Sequence, residues 1–278
     1  MVSLKVIKNR IRTVSNTKKI TQTMRLVSAA KYSRAERELS SARPIGRGAT
    51  EFFELAGIHT PAKVDPQLIV ALTGDRGLCG GIHSGIAKAI DLSLKSNSAL
   101  QSETKIICVG EKNRMILSRM YPNNIIWVAN NVGKTSMTFH DAGAIGEQIK
   151  NSIDEYNIAR TAIYYNKFVN ASSYMVSTSR FYDRSSLYAA EKFLLYDMIE
   201  EEIVDCWLEF AIVAIVFWIL KESSASEHSA RMTSMESATK NAAEMIQQLT
   251  LAYNRTRQTV ITNELIEIIS GASAINKN

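Results

Sequence analysis

The chain has 278 residues, 46% of them hydrophobic and 22% charged, with only 13 Gly and 4 Pro. That mix excludes collagen-like, low-complexity and disordered classes. The net charge of +6 is not spread evenly: nine Lys and Arg and no Asp or Glu fall between Met1 and Ala35. A near-neutral body with one cationic end is the reading.

The first segment, 1–57, reads as one long helix. Leu4, Ile7, Ile11, Val14, Thr17, Thr21, Met24, Val27 (or Ser28) and Lys31 recur at three- and four-residue steps, the seam spacing of a coiled coil. Pro44, Gly46 and Gly48 are expected to kink or interrupt it. The start, MVSLKVIKNR, lacks the apolar core of a secretory signal. Its acid-free character resembles an organelle transit peptide, but its fusion with a seam-bearing helix favours a segment that stays.

The second segment, 67–205, alternates β-rich runs and helical stretches. Strands are expected at Leu68–Thr73, Lys105–Gly110, Ile125–Val128 and Arg160–Tyr165, with a further one at Ser172–Phe181. Helices are expected at His83–Ser96, Glu111–Met120 and Met137–Tyr156. This rhythm predicts a Rossmann-like α/β domain.

The third segment, 207–278, has no proline, and no glycine before Gly271. Met232, Met235, Thr239, Ala242, Met245 (or Ile246), Leu249 and Ala252 (or Tyr253) keep the seam spacing. A helix of about 65 residues would be about 100 Å long, far beyond the width of its own domain. The two long helices are therefore expected to pair antiparallel, with Thr259–Ile275 projecting unpaired. Within this segment Phe210–Leu220 is eleven apolar residues in a row, bounded by Glu209 and Lys221. A membrane span needs about 20, so a core or partner-facing helix is favoured.

Chemistry-bearing motifs are weak. Gly74-Asp75-Arg76-Gly77-Leu78-Cys79-Gly80-Gly81 sits where a dinucleotide loop would, but its spacing is neither G-x-G-x-x-G nor that of a phosphate-binding P-loop. A structural turn is favoured over a nucleotide site. No nucleophile elbow or H-E-x-x-H is present, and His59, His83, His140 and His228 are dispersed. Cys79 lies near His83 in sequence without an evident orienting group. Asp197, Glu200–Glu202, Asp205 and Glu209 read as a solvated acidic face rather than a calcium loop. Cys79, Cys108 and Cys206 form no C-x-x-C and suit a reducing compartment. No catalytic residue, metal site or cofactor is expected. The basic helix could bind nucleic acid, but it lacks aromatics before Tyr32 and its apolar seam already uses one face, so docking against acidic protein loops is a rival reading. The tip, Thr259–Ala272, carries Ile and Leu on several faces, as a helix enclosed by a partner would.

Ile261–Ala272 (ITNELIEIISGA) resembles the C-terminal signature of the γ subunits of F-type ATP synthases. Thr17–Lys31, Thr73–Ser84, Glu227–Asn241 and Tyr253–Gln258 agree in order across nearly the whole chain, most similar to mitochondrial forms. The resemblance implies an α/β domain flanked by long N- and C-terminal helices that form an antiparallel left-handed coiled coil. It implies a non-catalytic rotor shaft inside a ring of three α and three β subunits, with its base on the δ and ε subunits and the c-ring. The location implied is the matrix side of the mitochondrial inner membrane, with membrane contact only through the complex. Residue by residue, Met24 and Arg25 match the position near the β-subunit lever. Arg257, Gln258, Thr262 and Glu264 match the patch that meets the β catch loop. Phe210–Leu220 is more apolar than is usual in that family, and Tyr174–Tyr196 departs from its pattern. Those departures keep a coiled-coil scaffold without rotor function as the alternative reading, with a nucleotide-dependent oxidoreductase as a distant one.

Overall fold

The computed structural model describes residues 4–58, 67–96, 103–158, 160–190, 192–196 and 200–275, with no description of the side chains at 194 and 273–275. His59 and Asp197 lie outside the described residues. The elements run α1 (Leu4–Leu55), β1 (Leu68–Leu72), α2 (Ile82–Ser96), β2 (Lys105–Val109), α3 (Glu111–Met120), β3 (Ile125–Ala129), α4 (Phe139–Tyr156), β4 (Arg160–Asn170), β5 (Ser173–Tyr182), α5 (Arg184–Tyr188) and α6 (Glu201–Ile275). The chain forms two units, one of residues 28–232 and one of residues 1–27 with 233–278.

The larger unit is a five-stranded sheet ordered β3-β2-β1-β4-β5. β1, β2, β3 and β4 pair in parallel, and β5 runs antiparallel to β4. β1 is buried along its whole length, so it reads as a continuous apolar run rather than an alternating one. Its side chains divide between two cores. Leu68, Val70 and Leu72 join Phe53, Ile145, Ile149 and Ile215 on one face. Ile69 and Ala71 join Ile86, Ile90 and Leu117 on the other. Each fully buried Leu or Ile contributes about 1.5–3 kcal/mol relative to exposure.

The apolar run Phe210–Leu220 belongs to this core. By length and composition α6 is apolar enough to cross a membrane. Yet Ala211, Ile212, Ala214, Ile215, Val216, Ile219 and Leu220 are all buried on the sheet face that also holds Leu68, Val70 and Leu72. Unusual apolarity here serves a layer packed from both sides.

Helix α1 corrects one expectation. It continues through Pro44, Gly46 and Gly48 without a break. Pro44 is exposed, on the side where water can satisfy the carbonyl that loses its N–H partner. Leu39, Ala42, Ala49 and Phe53 bury the opposite face, and that packing outweighs a proline penalty of about 3 kcal/mol. Helix α6 begins at Glu201, earlier than expected. α4 starts at Phe139 because Thr138 and Asp141 form a capping box there.

The smaller unit pairs the start of α1 with the end of α6. Thr239 Oγ1 donates to Thr21 Oγ1 at 2.9 Å. From that layer the covered residues run toward the N-terminus in α1 (Lys18, Val14, Ile11, Ile7, Leu4) and toward the C-terminus in α6 (Ala242, Ile246, Leu249, Tyr253, Thr256, Val260). The helices are therefore antiparallel. Their seven-residue repeat is the spacing that gives a left-handed supercoil. One seam position differs from expectation, Lys18 rather than Thr17 being half-buried, and of the alternatives Met245 and Ile246 it is Ile246 that faces inward.

Candidate rotor interface

The glycine loop comes first, because it is where an enzyme would place a cofactor. In an open α/β sheet the ligand crevice lies at the carboxyl ends of the strands where the order reverses, between β1 and β4. Here α6 occupies that crevice. Glu227 lies so close to Gly74 that a Cβ there would collide with its carboxylate. Arg231 donates from Nε to Gly77 O at 3.2 Å and pairs with Glu227. The loop glycines thus admit the chain's own carboxylate and guanidinium. Asp75 is occupied as well, its Oδ1 accepting from Glu111 N at 2.8 Å at the start of α3.

The local chemistry is not that of a nucleophile. Burial pushes the Cys79 thiol up to about 11, and the Glu227 charge adds to the shift. Burial pushes His83 below its ordinary range. A protonated thiol beside a neutral imidazole is inert. Among the described residues, no three His, Cys, Asp or Glu side chains group to hold a metal ion.

The distinctive exposed chemistry lies on the smaller unit. Its described residues carry ten Lys and Arg against four Glu. Lys5, Lys8, Arg10, Arg12 and Lys19 are exposed, Lys18 and Arg25 half-buried. None of them belongs to an ion pair among the described residues. This face is cationic, and its charges are not paired with counter-charges among the described residues.

The six residues expected to meet partners separate into two places. Met24 and Arg25 are half-buried at the Thr21–Thr239 level. Arg257, Gln258, Thr262 and Glu264 are exposed on α6, and Arg257 is about 27 Å along the helix from Thr239. Gln258 and Thr262 lie on the side away from the seam residues Tyr253, Thr256 and Val260, while Arg257, four residues after Tyr253, stands exposed at the edge of the seam. Thr262 Oγ1 donates back to Gln258 O at 2.9 Å, leaving the Arg257 and Gln258 side-chain ends outward. Beyond Val260 every residue through Ala272 is exposed, including Ile261, Leu265, Ile266, Ile268 and Ile269. An exposed apolar run of this kind is a candidate interaction surface.

One group escaped the sequence reading. The α6 segment Ala225–Arg231 is polar in composition, yet all seven residues are buried. The signal available was its small-residue content: Ser223, Ser224, Ala225, Ser226, Ser229 and Ala230 permit close approach of surrounding backbone.

A mixed, largely parallel sheet whose ligand crevice is filled by its own helix, joined to a cationic antiparallel helix pair with an uncovered apolar tip, is the architecture of a shaft protein. Comparison with known proteins agrees. A family model described as ATP synthase matches residues 3–275. The mitochondrial ATP synthase subunit gamma of Drosophila melanogaster is 47% identical over 276 residues, covering 99% of this chain and 91% of that protein. The mitochondrial F(1) complex subunit gamma of Rattus norvegicus is 41% identical, covering 99% and 100%. A central stalk/c-ring structure of Tetrahymena thermophila mitochondrial ATP synthase contains a chain 26% identical with TM-score 0.66, covering 79% of this chain and 99% of that one. A chain of the Euglena gracilis mitochondrial enzyme shares the fold at 18% identity and TM-score 0.75, covering 98% and 94%. The chain belongs to the ATP synthase gamma-subunit family, and its relatives indicate a mitochondrial, non-catalytic stalk subunit.

Proposed function

We propose that this chain is the central rotor shaft of a mitochondrial F-type ATP synthase, on the matrix side of the inner membrane. Proton flow through a c-ring turns the larger unit, seated with δ and ε subunits. The helix pair turns inside a ring of three α and three β subunits. The uncovered apolar tip beyond Val260 carries this reading: a helix apolar on several faces needs an enclosing sleeve. Few directional bonds there would let it turn.

The unpaired cations of α1, with Met24 and Arg25, meet acidic lever segments of β. Arg257, Gln258, Thr262 and Glu264 meet a β loop higher on the shaft. The shaft has no catalytic group; it acts by differential contact. Each orientation gives each β subunit a different interaction energy in its open and closed states, and only such a difference shifts a conformational equilibrium.

Copurification tests the assembly. A tagged chain should bring down α and β subunits at a ratio of one to three to three. Recovery of the chain without them would sink the rotor reading and favour a scaffold.

A further inference from the structure

Two turns of α6 are enclosed on every side. Ala225–Arg231 spans about two helical turns, and all seven residues are buried, Ala225 and Ser226 completely. A helix buried around its circumference is ordinarily apolar; this one reads A-S-E-H-S-A-R. Its polar groups are bonded outward to several different elements. Ser226 Oγ donates to Asn166 O of β4 at 3.1 Å. Ser229 Oγ donates to Ala171 O in the β4–β5 turn. Arg231 Nε donates to Gly77 O in the glycine loop. One turn earlier, the Glu222 carboxylate accepts from Phe168 N at 2.9 Å and from Arg43 Nε at 2.8 Å.

These bonds differ in kind from the packing of the preceding turns. Apolar contacts are non-directional, so the packing of Ala211–Leu220 opposes turning through side-chain shape alone. Hydrogen bonds to fixed carbonyls on opposite sides are directional. Turning the helix breaks several of them together and leaves buried donors unsatisfied.

We infer that this polar collar is a spline: it fixes the rotational setting of α6 in the α/β domain, so that torque applied to the domain enters the helix without slip. Ser226, Ser229 and Arg231 are positioning residues in this account. The inference rests on the rotor reading above.

The test uses the assembled complex, immobilised by its catalytic head. A nanorod is tethered to the sheet side of the domain at Leu92→Cys on α2, in a Cys206→Ser background; Leu92 is 69% exposed, while Cys79 and Cys108 are buried. The angular variance of the stalled probe measures torsional compliance between domain and head. For Ser226→Ala/Ser229→Ala, variance should rise by about twofold or more, since each lost bond removes a directional restraint. A purely structural role would lower Tm without raising the variance, and unchanged variance overturns the spline. If the double variant does not assemble, Ser226→Ala alone must still raise the variance. The parent complex separates the two readings. A parent probe that never turns under ATP hydrolysis defeats the rotor itself, whereas a turning parent with an equally stiff variant defeats only the collar.

Discussion

Trp218 of α6 packs directly onto the backbone of Gly46 in α1, so closely that a Cβ at Gly46 would collide with the indole. Two residues on, Gly48 has nothing within 4 Å of where a Cβ would stand. Both glycines are interior to the same helix, so propensity alone favours alanine at each by about 1 kcal/mol. The two substitutions should therefore differ in sign. Gly46→Ala should destabilise by about 1–3 kcal/mol, as overpacking does, and Gly48→Ala should stabilise by about 0.5–1 kcal/mol. Chemical denaturation of the two variants checks this, and equal shifts would remove the close approach as the reason for Gly46.

Acid sensitivity should come in two windows. Burial, with the Arg231 charge beside it, lowers His228 from 6.5 to about 4. The folded state therefore resists its protonation. The unfolded chain binds the proton first, so stability is full above pH 6.5 and falls as pH drops toward 4. Glu38 covers the lower window. Burial works to raise its pKa, but hydrogen bonds from Lys221, Ser136 and Arg34 prevail and hold it at about 2 instead of 4.5. Its contribution is present above pH 4.5 and is lost as pH falls toward 2. Thermal unfolding against pH should show His228→Asn flattening the upper window only, and Glu38→Gln the lower only.

Local signals made much of the fold legible. The β1 and β2 runs, the α3 limits and the two seams follow from short-range pattern. Two things did not. Pro44 argued for a kink or an interruption, and the helix is not interrupted because Leu39, Ala42 and Phe53 bury its opposite face. The collar Ala225–Arg231 looks like a solvated helix in sequence, since its partners are backbone carbonyls of residues some 60 to 154 positions away, and a carbonyl carries no mark of the residue that bears it. The residues proposed to meet partners rest on resemblance alone. Arg257 and Gln258 touch nothing in their own chain that would single them out.

The apolar tip should add nothing to the chain's own stability. Leu265 and Ile269 are more than half exposed, and surface changes of that kind stay within about 0.5 kcal/mol. Leu265→Ser/Ile269→Ser should leave the Tm of the purified chain unchanged while reducing its tendency to aggregate. A clear fall in Tm would mean that the tip is covered by its own chain, and an outside sleeve would then be unnecessary.

Arg257→Glu is the sharpest test of the upper patch. Arg257 is exposed at the edge of the α6 seam, and changes at exposed positions stay within about 0.5 kcal/mol, so reversal should not disturb folding. It replaces a planar five-donor cation with an acceptor-only anion. If an acidic or carbonyl-rich β loop reads this position, attraction becomes repulsion in one step, and the orientation-dependent energy difference that drives the β subunits shrinks. ATP hydrolysis would then persist with less torque and poorer coupling to proton transfer. Part of the loss should recede at high ionic strength, because exposed charges are screened within about 10 Å at 0.1 M salt. Single-molecule torque measured on the parent and variant complexes decides the matter: equal torque at low salt would leave Arg257 without a part in coupling.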